Sequence, residues 1–395
     1  MKHCLIWLNV YSLNIMLILI IICMVLLLGY IALMLLYHKG WCIQTEFILP
    51  ENNNSHTFIS VIIPARNEAA NIDACIRSLL AQDYPKDLYE IIVVDDHSTD
   101  ATPEIVLSHG GDNVHYIRLA DHIQENEVIT AYKKKAISVG IKNSKGDFII
   151  TTDADCISLP HWLKYMAAFY ESQKSIMVIA PVDFTCNNTT VELFQSIDFM
   201  GMQGITAAAN SLKLGNMSNG ANLGFNKEAY NFVNGYDGID HLASGDDYLL
   251  MMKLQKAFPG RINYLKSKNT IVTTVPQPTW KAFLQQRIRW ASKSGKYDDK
   301  RLTAVLLFVY LFNLSFLILL IAAFFKSALF IVLGVMLLCK ILTELYFAIP
   351  VARFFNKTAQ IKKGQLLQPL HIAYIILAGF LGFVGVYQWK GRKTK

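Results

Sequence analysis

The chain carries little charge for its length and lacks several common sequence signatures. Only 17% of its 395 residues are charged, whereas 53% are hydrophobic and the mean hydropathy is +0.31. No CxxC pair or zinc-type spacing links its seven cysteines, which favours reduced thiols over a disulfide framework or a zinc site. No GxGxxG opens a helix, so a dinucleotide-binding domain is disfavoured, and no internal repeat occurs. The low share of charged residues and the high share of hydrophobic residues indicate that part of the chain lies in lipid.

The net positive charge does not follow a nucleic-acid-binding pattern. The formal net charge is +7 at pH 7, but the basic residues form no long stripe with interleaved aromatic residues. Several of them flank apolar segments instead, as the positive-inside bias predicts for cytoplasmic loops. We therefore expect a lipid bilayer, and no nucleic acid, among the partners of the chain.

Long apolar runs predict membrane spans on both sides of a soluble stretch. The runs cover residues 15–36, 302–325, 327–350 and 370–389. The first run is longer than the hydrophobic region of a signal peptide and no small-residue cleavage site follows it, so it is expected to stay as an anchor. The predicted domains are an anchor over residues 1–44, a soluble domain over 45–300, and a membrane region of two or three spans over 301–395.

The number of spans after the soluble domain is open because the third run contains two charges. Lys340 and Glu344 lie one helical turn apart, which indicates either a span with an internal ion pair or an interfacial or re-entrant helix. Basic residues over 293–301 and 353–363 predict that the soluble domain is cytoplasmic. The segment 390–395 is also basic, which agrees with this orientation only if the third run does not cross.

The soluble stretch alternates apolar runs with helical patterns. Strands are predicted over residues 58–64, 90–95, 115–119, 147–152 and 176–181. Helices are predicted over residues 69–80, 130–142 and 160–170. Strands that alternate with helices indicate βαβ units, so the predicted fold class is α/β with a mostly parallel sheet.

Polar residues follow the first two predicted strands, at the edge where an open parallel sheet binds ligands. The first strand ends in Pro64, with Arg66 and Glu68 after it, and the second ends in the pair Asp95-Asp96. A carboxylate at this edge can accept hydrogen bonds from a nucleotide base or a ribose hydroxyl. The alternative is ordinary helix capping, since both segments precede helices.

Asp153 and Asp155 form a second acidic cluster after another predicted strand. Side chains at i and i+2 of a strand point to the same face, so both carboxylates could address one metal ion. Mg²⁺ or Mn²⁺ bound by one or two carboxylates plus substrate phosphates is a usual arrangement, and a solvated loop is the alternative. The acidic clusters together predict a site for a metal-bound nucleotide diphosphate.

Asp246-Asp247 precedes an apolar helical pattern that starts at Tyr248. Acidic residues in a first helical turn are favoured by the helix macrodipole, which is the structural alternative. Transfer of a group to an acceptor hydroxyl needs a base that removes the proton. Asp247 is the candidate base, and Asp246 is interpreted as a supporting neighbour.

A basic amphipathic helix is predicted over residues 280–292, directly before the second apolar run. Gln286, Arg289 and Trp290 occupy positions i, i+3 and i+4 and therefore share one face. Together they could bind a diphosphate and an acceptor. The alternative is that the arginine and aromatic residues only anchor the helix at lipid headgroups.

Two further segments are less specific. Residues 133–135 are three consecutive lysines on a predicted helix, interpreted as a solvated face with phosphate binding as the alternative. Residues 219–222, with the sequence NGAN, are a candidate loop on the acceptor side.

The order of these motifs resembles that of family 2 glycosyltransferases, in particular the membrane-integrated synthase-like branch that carries QxxRW beside transmembrane helices. Cellulose, hyaluronan and poly-N-acetylglucosamine synthases belong to that branch. The resemblance covers about residues 58–295 and is specific in the combination of motifs. It implies a GT-A fold, a nucleotide-sugar donor with a UDP-sugar expected, Mg²⁺ or Mn²⁺ as cofactor, and inversion at the anomeric carbon.

The resemblance also implies roles for individual residues. Asp96 matches the carboxylate that contacts the nucleotide, and Asp155 matches the metal-side residue of DxD, with Asp153 beside it on the donor. Asp247 matches the general base, although the usual Glu-Asp or Thr-Glu-Asp is Gly-Asp-Asp here, which leaves the role of Asp246 open. The QxxRW residues near acceptor and diphosphate match Gln286, Arg289 and Trp290.

The implied function is that of an inverting glycosyltransferase at the cytoplasmic face of a membrane, with a bacterial inner membrane expected. It would move a sugar from a nucleotide-sugar donor to a glycan or lipid-linked acceptor. One alternative is a transferase that adds a single sugar to a polyprenyl phosphate. The other is a catalytically silent membrane component. The small number of predicted spans leaves processive synthesis open.

Overall fold

The computed structural model of the chain divides into two compact units. We call residues 40–279 the sheet unit, and residues 1–39 with 280–393 the membrane-helix unit. The structure describes the chain except for residues 1, 112, 126, 188, 216, 243, 293–298, 385–386, 390–391 and 395, and describes only the backbone of residues 2–13, 384, 387–389 and 392–394. Much of the predicted basic segment 293–301, and part of 390–395, lie outside the described residues.

The strands and helices of both units are numbered in chain order. The strands are β1 (Ile59–Ala65), β2 (Tyr89–Asp95), β3 (Val114–Arg118), β4 (Phe148–Thr151), β5 (Met177–Ile179), β6 (Val182–Phe184), β7 (Leu223–Asn226), β8 (Ile262–Tyr264), β9 (Val272–Thr274), β10 (Tyr387–Trp389) and β11 (Arg392–Thr394). The helices are α1 (Lys2–Ile43), α2 (Ile72–Leu80), α3 (Thr102–Ser108), α4 (Tyr132–Asn143), α5 (Trp162–Gln173), α6 (Thr190–Leu212), α7 (Lys227–Phe232), α8 (Tyr248–Ala257), α9 (Trp280–Ala291), α10 (Lys300–Phe325), α11 (Leu329–Phe354), α12 (Thr358–Gly364) and α13 (Gln368–Val384). Short 3-10 helices lie at Lys86–Leu88, Leu119–His122, Gly220–Asn222, Lys268–Thr270 and Gln365–Leu367.

The central sheet has the strand order β3-β2-β1-β4-β7-β5-β8. β1 pairs in parallel with β2 and β4, β2 with β3, and β5 with β8, whereas β7 runs antiparallel to β4 and β5. In this register Ala65 at the end of β1 pairs with Asp95 at the end of β2. The predicted α/β class with a mostly parallel sheet is confirmed, and the carboxyl ends of β1, β2 and β4 lie at one edge.

The first strands form because their apolar, mostly β-branched residues are buried on both faces. Every residue of β2 and β4 is buried, and β1 is partly exposed only at Pro64. Burial on both faces is typical of parallel strands that helices cover, and α4 packs against β1 and β2. The five predicted strands are confirmed to within two residues at each end. The antiparallel β7 and a second sheet of β6 with β9 had no counterpart among the predicted elements.

In the part of the chain that the structure describes, four helical stretches are long and apolar enough to cross a membrane: Asn14–Ile43, Lys300–Phe325, Leu329–Phe354 and Thr358–Phe383. They fit the four predicted runs. The last run was predicted too far, since α13 ends at Val384 and Tyr387–Trp389 is a strand. The ion pair predicted within α11 is present, with Lys340 Nζ 2.6 Å from Glu344 Oε1.

Candidate functional site

The turn after β2 holds Asp96 at the carboxyl edge of the sheet. Asp96 is buried, and its backbone N–H donates to the Ala65 carbonyl at the end of β1 at 2.8 Å. Arg66 Nη1 donates to the Asp96 carbonyl oxygen at 3.1 Å and lies 3.6 Å from Oδ1 of its carboxylate. His97 Nδ1 lies 2.9 Å from the same Oδ1. The Asp96 carboxylate is therefore fixed by its neighbours at the edge where open sheets bind ligands.

Asp95, the last residue of β2, makes its contacts inside the protein. Its buried carboxylate accepts the backbone N–H of Ser98 at 3.3 Å and the Tyr116 hydroxyl at 3.4 Å. These hydrogen bonds close the turn that presents Asp96. The structure thus gives Asp95 a positioning role, and its direct contact with a nucleotide stays a prediction.

The segment after β1 is tied to the same turn. The backbone N–H of Asn67 donates to Ser98 Oγ at 2.9 Å, and that of Glu68 donates to Thr102 Oγ1 at 2.8 Å. Asn67 has a φ of +52°, a left-handed conformation that asparagine tolerates better than most residues, and it lies in the bend after β1. The predicted donor-binding residues after β1 and β2 therefore belong to one connected structure with Asp96.

Asp153 and Asp155 lie in a turn beyond β4. The strand ends at Thr151, so the expectation that strand alternation places both carboxylates on one face is wrong. Asp155 lies inside the turn instead and accepts a hydrogen bond from Thr274 of β9. Two backbone hydrogen bonds join Ile157 and Thr273, at 2.8 and 2.9 Å, and they hold β9 against the turn. Thr274 was missed from the sequence because this pairing joins distant segments.

The charge environment of Asp155 is unfavourable for its ionised form. Burial, together with the negative charges of Asp153 and Glu68, raises the pKa of Asp155 to about 6. The hydrogen bond from Thr274 acts in the opposite direction. A cation beside Asp155 would therefore be favoured, because it would offset the repulsion between the Asp155 carboxylate and its acidic neighbours.

A divalent cation fits this turn when a ligand completes its coordination. Within the described residues, no group of three or more His, Cys, Asp or Glu side chains is placed to hold a metal ion. Mg²⁺ and Mn²⁺ are commonly bound by one or two carboxylates together with substrate phosphates and water. Asp155, with Asp153 near it, supplies carboxylate oxygens of that kind.

Lys133 of α4 joins two of the acidic motifs. Its Nζ lies 2.8 Å from Oδ1 of Asp153 and 3.0 Å from Oδ2 of Asp246. Burial alone would lower the pKa of Lys133, but the two carboxylates raise it above its usual value. Lys133 is therefore a fixed positive charge between the turn after β4 and the start of α8.

The interpretation of residues 133–135 as a solvated face is wrong. Lys134 is buried, and its Nζ donates to the Ile239 carbonyl at 2.6 Å. Lys135 Nζ lies 2.6 Å from Glu127 Oε1. Each lysine thus has its own acceptor, and the run of three lysines in the sequence does not indicate which acceptor each one contacts.

Asp247 lies at the start of α8. Its carboxylate accepts the backbone N–H of Tyr248 at 2.7 Å and that of Gly220 at 3.3 Å, so it also caps the helix. A Cβ atom at Gly220 would lie 3.0 Å from Asp246 Oδ2 and 3.5 Å from Lys133 Nζ. The absence of a side chain at Gly220 therefore allows the loop before β7 to approach the two aspartates closely.

Asn222, in the candidate acceptor-side loop, is used within the core. Its Nδ2 donates to the carbonyls of Pro181 at 2.7 Å and Thr270 at 2.8 Å, and its Oδ1 accepts the indole N–H of Trp162 at 3.0 Å. The side chain is fully buried. Asn222 thus fixes the loop through contacts in the core, and an acceptor contact would have to come from other residues of the loop.

The predicted diphosphate and acceptor residues lie on α9 of the membrane-helix unit, so a helix is present at the predicted position. Gln286, Arg289 and Trp290 lie on this helix with Arg287, which is buried. The Arg287 guanidinium stacks on Phe283 at 4.8 Å and on Trp290 at 4.2 Å, and its Nη1 donates to Gln286 Oε1 at 3.1 Å. Arg287 therefore positions two of the three motif residues. Its spacing of four and three residues from the two rings is the sequence signal for this contact.

Family models match the sheet unit and the helices that follow it. The model described as glycosyl transferase family 2 matches residues 60–230. The model described as glycosyl transferase family group 2 matches residues 148–383, more than half of the chain. The chain belongs to glycosyl transferase family group 2. The predicted membership of family 2 is thereby confirmed, whereas the synthase-like branch stays a prediction.

This family 2 glycosyltransferase chain is similar to named relatives over part of its length. It is 31% identical over 194 residues to Glycosyltransferase AglE of Haloferax volcanii, covering 48% of this chain and 59% of the relative. It is 33% identical over 120 residues to the Dolichyl N-acetyl-alpha-D-glucosaminyl phosphate 3-beta-D-2,3-diacetamido-2,3-dideoxy-beta-D-glucuronosyltransferase of Methanococcus voltae, covering 30% of this chain and 35% of the relative. The chain thus spans less than two thirds of the length of these relatives.

The family 2 chain also resembles a solved structure along most of both molecules. The mannosyltransferase PcManGT from Pyrobaculum calidifontis, in complex with GDP-Man and Mn²⁺, aligns with a TM-score of 0.52 at 18% identity. The alignment covers 92% of this chain and 98% of that chain. At this identity the likeness concerns the fold alone. It confirms the predicted GT-A fold.

Proposed function

We propose that the chain is an inverting glycosyltransferase that moves a sugar from a nucleotide-sugar donor to a glycan or lipid-linked acceptor. The observation that carries the proposal is the Lys133 bridge, in which one ammonium group lies within 3.0 Å of both Asp153 and Asp246. Because Asp247 follows Asp246 directly, the candidate base and the candidate metal-binding turn belong to one site. Family membership supports the reaction type, and the name of the M. voltae relative supports a lipid-linked glycan acceptor.

In the proposed reaction Asp247 is the general base. Its carboxylate takes the proton of the acceptor hydroxyl while the acceptor oxygen bonds to C1 of the donor sugar. The bond between C1 and the diphosphate oxygen breaks on the opposite face, and the nucleoside diphosphate leaves with the electron pair. This single displacement inverts the configuration at C1. The backbone N–H groups of Tyr248 and Gly220 orient the Asp247 carboxylate for this role.

The donor would bind along the carboxyl edge of the sheet. The nucleotide is assigned to Pro64, Arg66, Glu68, Asp95 and Asp96. Asp155, with Asp153 beside it, would hold Mg²⁺ or Mn²⁺, which stabilises negative charge on a leaving diphosphate. Lys133 adds a fixed positive charge next to Asp153, and such preorganised charge is often the largest catalytic contribution. A UDP-sugar is the donor that we expect.

The helix α9 completes the proposal. Gln286, Arg289 and Trp290 are assigned to the diphosphate and acceptor, as in the synthase-like branch. We further propose a multi-pass protein of a bacterial inner membrane whose catalytic domain, residues 45–300, faces the cytoplasm. Support for this orientation comes from Arg353 in the last turn of α11 and from Lys362 and Lys363 in α12, since the positive-inside bias favours basic residues at the cytoplasmic ends of apolar segments.

The experiment that tests the reaction class is nucleoside-diphosphate release by the full chain in detergent. A panel of UDP-, GDP- and dTDP-sugars is offered with Mn²⁺ or Mg²⁺, together with membrane extracts that contain lipid-linked and glycan acceptors. Metal-dependent and acceptor-dependent release from one donor is expected, with sugar recovered in the acceptor. Absence of release and transfer across the whole panel would favour the catalytically silent alternative.

A further inference from the structure

A buried polar network joins three apolar helices of the membrane-helix unit. On α11, Lys340 Nζ donates to Oε1 of Glu344 at 2.6 Å and to Oε1 of Gln368, the first residue of α13, at 2.7 Å. Gln368 Nε2 donates to Oε2 of Glu344 at 2.6 Å. The Tyr30 hydroxyl of α1 donates to Oε1 of Glu344 at 2.5 Å. We call these four residues the Lys340 network.

The network is too costly to be incidental. Lys340 is fully buried within a helix that is apolar enough to span a bilayer. Ionisable side chains in such helices are rare, face the interior of the bundle and pair with one another. Here the amide of Gln368 links the ion pair to α13, since it both accepts a hydrogen bond from Lys340 and donates one to Glu344. The start of α13 is therefore fixed to α11 by a two-sided amide contact.

The helix fixed in this way carries α9. The Phe283 ring contacts the Tyr374 ring of α13 edge-on, with centroids 5.3 Å apart, and a Cβ atom at Gly382 would lie 2.7 Å from Cβ of Ala291. The two contacts lie eight residues apart on α9 and eight residues apart on α13. The two helices therefore run side by side in parallel over about 12 Å. Phe283 in turn stacks on Arg287, which also contacts Trp290.

We propose that the Lys340 network is a positioning element for catalysis: it sets α13, and through Phe283 and Arg287 it sets the substrate-binding face of α9. The inference rests on the proposed function, because it takes Gln286, Arg289 and Trp290 as ligands of diphosphate and acceptor. It adds that residues one helix away, with no substrate contact, determine their placement. A displacement of about 1 Å at such a face is enough to reduce turnover strongly.

The test uses substitutions in the full chain reconstituted in lipid nanodiscs. Gln368→Leu removes the amide link and leaves the Lys340–Glu344 ion pair and the Tyr30 contact. The double variant Glu344→Gln/Gln368→Glu exchanges acid and amide, keeps the net charge, and allows the same four hydrogen bonds. Thr343→Val is the matched control on α11, since the Thr343 hydroxyl donates to the Cys339 carbonyl of its own helix.

Two quantities are measured: hydrogen–deuterium exchange of the α9 backbone amides, and turnover with saturating donor. We expect Gln368→Leu to raise deuterium exchange in α9 and to lower turnover roughly tenfold. The double variant Glu344→Gln/Gln368→Glu should show wild-type values of both quantities, and so should Thr343→Val. The inference would be overturned if Gln368→Leu showed wild-type deuterium exchange in α9, or if the double variant did not. If Gln368→Leu does not fold, the double variant still tests the inference, because raised deuterium exchange in its α9 would contradict it. If the wild type transfers no sugar, the proposed function fails, while α9 exchange still tests the network.

Discussion

Nζ of Lys133 lies 3.0 Å from Oδ2 of Asp246, so an ion pair connects α4 to the residues directly before α8. The same Nζ lies 2.8 Å from Asp153. Carboxylates gathered at one edge would otherwise disfavour each other's ionised forms. This single lysine therefore explains how the sheet unit can keep two acidic motifs together when no ligand is bound.

Removal of this charge should impair catalysis more than folding. Lys133→Met leaves Asp153 and Asp246 without the bridging ammonium, so we expect turnover to fall about 100-fold, as for the loss of one preorganised electrostatic group. Lys135→Met on the same helix removes only a half-exposed pair with Glu127 and should change turnover less than about twofold. The comparison is made by steady-state kinetics with melting curves for both variants. Equal activities in the two variants would show that the bridge is dispensable.

The close approach at Gly220 gives a steric test of the same site. In Gly220→Ala the new methyl group would meet Asp246 Oδ2 at 3.0 Å, so the loop or the aspartate must shift, and we expect turnover to fall about tenfold. The control is Gly201→Ala in α6, where nothing lies within 4 Å of the new Cβ. That change should leave turnover intact and stabilise the helix by about 0.5–1 kcal/mol. Kinetics and thermal unfolding of both proteins distinguish the two effects, and an active Gly220→Ala enzyme would argue against a close-packed acidic pair.

Asn222 should behave as a core residue. Asn222→Ala leaves the Trp162 indole N–H and two carbonyl groups without their present partner, which should lower the free energy of unfolding by about 2–3 kcal/mol. Asn187→Ala at an exposed position should change it by less than about 0.5 kcal/mol. Thermal unfolding in detergent measures the difference. A stable Asn222→Ala protein with a raised KM for acceptor would instead support a direct acceptor contact.

Metal binding should depend on pH through Asp155. Below its pKa of about 6 the carboxyl group is protonated and competes with the cation, whereas above that pH the carboxylate is free to bind. We therefore expect the Mn²⁺ concentration for half-maximal donor binding to rise about tenfold for each pH unit below pH 6 and to level off above pH 7.

The control for this titration is Asp155→Ala. The variant should need at least about tenfold more Mn²⁺ at every pH and should lose most of the pH dependence. Donor binding with a wild-type Mn²⁺ profile would mean that Asp155 has only a structural role.

The parallel half of the sheet could be predicted from the sequence because its strands carry their own signal. β1, β2 and β4 are apolar runs buried on both faces, and the helices between them fix their direction. β7 could not be placed in this way: it runs antiparallel between β4 and β5, and its direction depends on pairing partners far away in the chain.

The acidic motifs were recognisable from the sequence, but their connections were not. A spacing of two residues at Asp153 and Asp155 indicated a shared strand face, yet β4 ends at Thr151 and a turn follows. The roles of Lys133 and Thr274 depend on contacts between distant segments, and no local pattern distinguishes Lys133 from the two lysines after it.

The most direct test of the account compares Asp247→Asn with the wild type in one assay that follows donor binding and sugar transfer to the acceptor supplied in membrane extracts. We predict normal donor binding and a loss of transfer of about 10²–10⁴-fold, the contribution of a general base. Transfer at a near wild-type rate would contradict the assignment of Asp247. It would instead favour the polyprenyl-phosphate alternative, since a phosphate acceptor is mostly ionised at neutral pH and needs little base catalysis.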